Sequence, residues 1–143
     1  MNSNPSQQAL RVFLVEDAIP IRHRMAARFG AIEGVEIVGE AEESGTALAC
    51  IDATEADVVV VDLRLTGGTG MELLRGLAQS MSPAITIVLT NHSGAWFRQA
   101  CLAAGAQYFF DKTSEFDLAC ATIRRIAHEH CARGLNYTGA HHV

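Results

Sequence analysis

The chain has 143 residues, a hydrophobic fraction of 49%, a charged fraction of 19% and a net charge of −5. That length suits one domain, and so large an apolar share excludes wholesale disorder. No apolar run approaches the ~20 residues of a membrane span, no secretory signal pattern opens the chain, and an acidic surface argues against gripping nucleic acid unaided.

Residues 1–9 are polar and read as a loose leader. The β-branched run Arg11–Val15 predicts a first strand, and a helix follows over about Ile19–Phe29, with Pro20 suited to its first turn. After Gly34, the alternating run Val35–Gly39 predicts a second, more exposed strand. Ser44 is the expected cap of a helix to about Ile51. Asp57–Val61 is continuously apolar after its first residue, as a strand buried on both faces should be. The glycine-rich stretch Thr66–Gly70 reads as a flexible loop, since no lysine follows to make it a phosphate-binding P-loop. Thr69 is placed to cap the next helix, with Met71, Leu74 and Ala78 on its inner face. A fourth strand is expected over Ala84–Leu89 and a helix over Ser93–Ala104, which Gly105 stops. A short fifth strand, Gln107–Phe110, leads to a last helix over Glu115–Arg133. Gly134 is expected to end that helix, leaving 134–143 as a tail and 10–133 as the domain.

Five strands alternating with five helices predict an α/β fold. Helical crossovers make the strands parallel and the connections right-handed, and five such units form an open, doubly wound sheet, flavodoxin-like, of order 2-1-3-4-5. Ligands of such sheets bind beyond the carboxyl ends of the strands, where strand order reverses. At those ends stand Glu16 and Asp17, then Asp62, then Thr90, then Lys112, which is the chain's single lysine. Neighbouring strands lie roughly 4.8 Å apart, so three carboxylates share one crevice. Their repulsion calls for a cation, and Mg²⁺ suits oxygen ligands beside a phosphate. Acids for a metal, a lysine, a hydroxyl and a carboxylate nucleophile fit phosphoryl transfer. Singly, each of these residues is structural more often than functional, since Asp and Thr at strand ends commonly cap helices; together they are hard to dismiss. The first loop, Glu16–Pro20, holds none of the glycines of a dinucleotide site. The four cysteines form no C-x-x-C pair and read as reduced thiols. His128-Glu129-His130-Cys131 lacks the spacing of a helical zinc site and reads as a solvated helix end.

The pieces Val12–Asp17, Val58–Leu63, Ile87–Thr90, Ala103–Ala106 and Phe109–Lys112 together resemble the receiver domain of bacterial two-component response regulators. The resemblance covers about Arg11 to Arg133. It implies that Asp62 accepts a phosphoryl group from a histidine kinase or phosphotransfer protein. Glu16, Asp17, Asp62 and the backbone carbonyl of Arg64 would hold Mg²⁺, for which Mn²⁺ could substitute. Lys112 would pair with phosphoryl oxygens, Thr90 would turn toward them, and Phe109 would change rotamer with it. Three positions depart from the family pattern: Thr66 and Thr113 stand where proline is common, and Asn91 where a small residue is usual. Arg64, Asn91 and His92 are then expected to tune phosphoryl lifetime.

The function expected is a cytoplasmic, single-domain receiver that switches the face formed by helix four, strand five and helix five. That face would serve a downstream protein or a second copy. It is not expected to act as an enzyme on an external metabolite, nor to touch nucleic acid or membrane. The alternatives are the N-terminal receiver of a longer helix-turn-helix regulator, which the segment Gly34–Ala41 resembles, or a non-phosphorylated pseudo-receiver. Trp96 and Phe97, at the start of helix four, are expected to face the core.

Overall fold

The computed structural model describes residues 9–65 and 67–141, with side chains described as far as Arg133. The expected leader, apart from its last residue, lies outside the described residues. The strands of the main sheet alternate with helices: β1 (Leu10–Val15), α1 (Ile19–Gly30), β2 (Val35–Ala41), α2 (Ser44–Thr54), β3 (Val58–Val61), α3 (Gly70–Gln79), β4 (Ile85–Thr90), α4 (Ala95–Ala103), β5 (Tyr108–Asp111) and α5 (Phe116–His141). The sheet has the order β2-β1-β3-β4-β5, and every pairing is parallel. The doubly wound fold expected from the alternation is the fold observed.

The side-chain alternation of the strands builds two cores. Val58 and Val60 of β3 face one layer, with Val12 and Leu14 of β1 and Ile87 and Leu89 of β4 beside them. Against that face lie Met25 and Phe29 of α1 and Ala119, Ile123 and Ile126 of α5. Phe29 and Phe116 stack with ring centroids 5.3 Å apart. Val59 and Val61 face the opposite layer, against Ile51 of α2, Leu73, Leu74 and Leu77 of α3, and Cys101 of α4. All four valines of β3 are fully buried, as a central parallel strand requires. Among the described residues, no helix is long and apolar enough to cross a membrane.

The local differences from expectation have physical causes. β2 does not stop at Gly39 but runs to Ala41; a Cβ at Gly39 would lie 2.5 Å from Phe13 Cε2, so glycine here makes room for a ring. Ser44 is the first helical residue of α2, not its cap; Glu43 holds the cap position and makes no side-chain cap bond. Thr69 caps α3 as expected, in a reciprocal box with Glu72. The inner face of α3 is Leu73, Leu74 and Leu77; Met71 is half-buried and Ala78 exposed. α4 begins two residues late because the Ser93 hydroxyl donates to Asp111 Oδ2 at 2.6 Å, and Gly94 takes the cap position. The backbone of α5 continues through Gly134 to His141. A glycine costs a helix only about 1 kcal/mol and keeps its N–H, so it weakens the helix without ending it.

The glycine-rich loop is also tied down. Arg64–Leu65 pairs antiparallel with Gly68–Thr69, and Gly70 N–H donates to the Leu63 carbonyl at 2.9 Å. Thr66, which stands where the family commonly has proline, lies outside the described residues. A Cβ on Gly70 would collide with the backbone carbonyl oxygen of Asp62, which cannot yield as a side chain could. Gly70→Ala is therefore expected to lower unfolding free energy by about 1–3 kcal/mol, read by urea denaturation.

Candidate functional site

Register brings the strand ends level. Val15 pairs with Val61, Val61 with Val88, and Thr90 with Asp111. Because β1 and β3 are neighbours, the residues just beyond them meet: carboxylate oxygens of Glu16, Asp17 and Asp62 lie within 4.8 Å of one another. Lys112, one residue past β5, reaches across the notch. Its ammonium donates to Glu16 Oε1 at 2.7 Å and to Asp62 Oδ2 at 2.8 Å. Glu16 and Asp62 are buried, and Asp17 is half-buried.

Burial dominates the Glu16 carboxyl and raises its pKa above the ordinary 4.5, despite hydrogen bonds from Lys112 and from the Ala18 N–H. For Lys112, burial is the largest single influence and favours the neutral amine. The hydrogen bonds and charges of Asp62 and Glu16 together outweigh it and raise the pKa above 10.5. Lys112 thus stays an ammonium, and its stabilising contribution is lost only as pH climbs through that raised value. Three hard oxygen donors at this spacing suit Mg²⁺ or Mn²⁺.

The remaining expected residues flank the notch. Thr90 is fully buried, and its hydroxyl oxygen accepts from the His92 N–H at 3.2 Å. The Arg64 N–H donates to Asp62 Oδ1 at 3.4 Å, while its side chain is exposed. Phe109 is buried in the layer that holds Val88 and Cys101. The Arg98 guanidinium lies 5.8 Å from its ring centroid and donates to its carbonyl at 3.3 Å. Asn91 Oδ1 accepts from the Thr113 hydroxyl at 3.0 Å, so these two departures from the family pattern meet each other. The peptide bonds of the described residues include no cis bond. The turn after β5 is held by side chains: Asp111 Oδ1 accepts from the Thr113 and Ser114 N–H groups, and Glu115 Oε1 accepts from the Asp111 N–H. The Ser93 hydroxyl, then these turn N–H groups, hold the Asp111 carboxyl down at about 2.

Two contributors are not legible in the sequence. Arg22 of α1 donates to the Glu16 carbonyl at 2.7 Å and to Glu40 Oε1 at 2.9 Å, pinning the loop that carries the acid pair. Its main partner is a backbone atom, which leaves no trace in residue type. Ser93 falls within the expected fourth helix, yet its hydroxyl serves Asp111. Trp96 and Phe97 correct an expectation: they are 73% and 38% exposed, not core.

The fold places this acidic notch where open α/β sheets bind ligands, and residues 12–124 match the response regulator receiver domain family. The chain belongs to that family and is a receiver domain of the two-component response regulator class. It is 34% identical over 113 residues to the DNA-binding transcriptional activator DevR/DosR of Mycobacterium tuberculosis, covering 78% of this chain and 52% of that protein. It is 28% identical over 117 residues to the response regulator UvrY of Escherichia coli, covering 82% and 54%. The chain thus spans about half the length of these curated relatives. Among solved structures, a LuxR-family two-component response regulator from Aurantimonas superposes with a TM-score of 0.78 at 29% identity, covering 85% of this chain and 86% of that one. The signal receiver domain of the response regulator NarL from Mycobacterium tuberculosis gives a TM-score of 0.74 at 25% identity, covering 88% and 98%.

Replacing Lys112 by methionine would leave Glu16 and Asp62 facing each other without their shared cation. A loss of about 3 kcal/mol at pH 7.5 is expected, because a buried charge loses its partner. The Glu16 carboxyl would then hold its proton to still higher pH in the folded state than in the unfolded one. Stability of Lys112→Met should fall as pH rises from 4.5 to 7.5, so its deficit against the wild type should be smaller at pH 4.5. Urea denaturation at the two pH values checks both the size and the sign.

Proposed function

We propose that Asp62 is the phosphoacceptor of a two-component signalling system. The observation that carries this reading is the Lys112 ammonium 2.8 Å from Asp62 Oδ2, in the notch shared with Glu16 and Asp17. An Asp62 carboxylate oxygen attacks the phosphorus of a phosphohistidine on a histidine kinase or phosphotransfer protein. The new O–P bond forms as the P–N bond breaks; the imidazole leaves with the electron pair and takes a proton from solvent. Lys112 faces the charge that builds on the phosphoryl oxygens. Glu16, Asp17, Asp62 and the Arg64 carbonyl would hold Mg²⁺, which supplies charge neutralisation when bound. The chain performs this chemistry on itself and has no external metabolite as substrate.

Phosphorylation adds about −1.5 to −2 charge and three acceptor oxygens. The Thr90 hydroxyl, now accepting from His92, has its own proton to donate to one of them. That movement opens space behind Thr90 for the Phe109 ring. The packing of α4, β5 and α5 then shifts between two populations, to which a downstream protein or a second copy responds. We place this receiver in the cytoplasm, without direct contact to nucleic acid or membrane. A second reading is favoured by the relatives, which include DNA-binding activators of whose length the chain spans about half. Under it, this receiver governs a helix-turn-helix output as part of a longer regulator.

Incubation with Mg²⁺ and acetyl phosphate is expected to add about 80 Da, one phosphoryl group, to the wild type and nothing to Asp62→Asn. An equal adduct on both proteins would overturn the assignment. Arg64 and His92 stand two residues beyond Asp62 and Thr90, and we place them at the approach of water to the phosphoryl group. The double variant Arg64→Ala, His92→Ala is expected to change the rate of phosphoryl loss by more than about threefold, measured by the decay of that adduct.

A further inference from the structure

Beside the notch, between α3 and α4, runs an open groove of about 650 Å³. Its apolar surface comes from Met71 on α3 and Phe97, Ala100, Ala103 and Ala104 on and just after α4. The alanines keep the α4 wall low, and a row of rings borders it: His92 packs on Phe97 at 5.6 Å, and Phe97 meets Trp96 edge-on at 5.1 Å. Trp96 presents most of its surface to solvent.

The charges around it are of one sign. Arg64 and Arg75 both line the groove, and among the described residues no carboxylate does. Neither Arg64 nor Arg75 makes an ion pair among the described residues, as is also true of Arg24, Arg98, Arg124 and Arg133, so both guanidinium groups are open to an anion. On a chain of net charge −5, this is a local cationic rim over an apolar floor. Its volume lies in the range of small-molecule sites, roughly 300–1,000 Å³, which join apolar walls to a few polar groups.

We propose that the groove binds a small amphipathic anion: a ring or compact aliphatic body carrying one carboxylate, sulfonate or phosphate. The body lies on Phe97 and the alanines, and the anionic group pairs with Arg75. Charge complementarity argues for this occupant, because a neutral apolar ligand would leave the two arginines without a counter-charge.

Trp96 is the chain's single tryptophan and so a built-in reporter. The full chain is titrated with 8-anilinonaphthalene-1-sulfonate and, separately, with the uncharged N-phenyl-1-naphthylamine, which shares its fused-ring body. Expected are one site per chain, quenching of Trp96 emission, and binding of the sulfonate about tenfold tighter than the neutral probe. Arg75→Gln should erase most of that preference without weakening the neutral probe, and Arg75→Lys should retain it. Circular dichroism establishes that both variants are folded; Arg75 is exposed, so both should be. Equal affinity for the two probes, or an unchanged preference in Arg75→Gln, would sink the proposal. So would Trp96 emission that varies with protein concentration alone, which marks a second copy in the groove. Binding of an acidic amphipathic helical peptide with no response to the sulfonate would equally overturn it, in favour of a protein partner. None of these readouts depends on phosphorylation of Asp62.

Discussion

One ammonium holds the carboxyl end of the sheet together. Glu16 and Asp62 arrive there because β1 and β3 are neighbours, and both are buried. Two adjacent carboxylates in such a place repel each other and lose their hydration. Lys112, carried in from β5 at the other side of the switch point, bonds to both. The burial of its long stem is tolerable because both carboxylates face its head. The same arrangement leaves the acids preformed, with oxygens close enough to share a cation. The chemical capacity of the site and its electrostatic cost are therefore two aspects of one contact.

The sheet explains why the contact can be so closely positioned. Alternate residues of β1, β3 and β4 feed two separate cores, so each strand is gripped from both faces. Strand ends held this way have little freedom to drift, whereas the loops beyond them carry the adjustable parts. Those loops are secured by specific bonds: Arg22 to the Glu16 carbonyl, Ser93 to Asp111, and Thr113 to Asn91. The groove between α3 and α4 opens beside one of these loops, through His92, and beside the loop after β3, through Arg64.

Much of this is legible in residue order. The continuous valines of β3 announce a strand buried on both sides, and the acid pair, Asp62, Thr90 and Lys112 stand at successive strand ends. Parallel topology then converts order into proximity. What stays hidden is set by atoms that residue type does not record. Arg22 acts on a backbone carbonyl, and Ser93 is claimed by Asp111 before it can begin a helix. Gly39 resembles the end of a strand until the Phe13 ring above it is seen. Trp96 and Phe97 resemble core because aromatics usually are; only the low alanine wall of α4 shows why they stand at the rim of an opening.

Arg98 braces the buried Phe109 ring. Its guanidinium covers the inward Phe109 ring and also bonds the carbonyl of the same residue. Outward rotation of that ring would forfeit the ring contact, worth about 0.5–1 kcal/mol at a partly exposed site. A difference of that size weights the two orientations by roughly two- to fivefold. A contact of that size would favour the buried ring position without locking the side chain there.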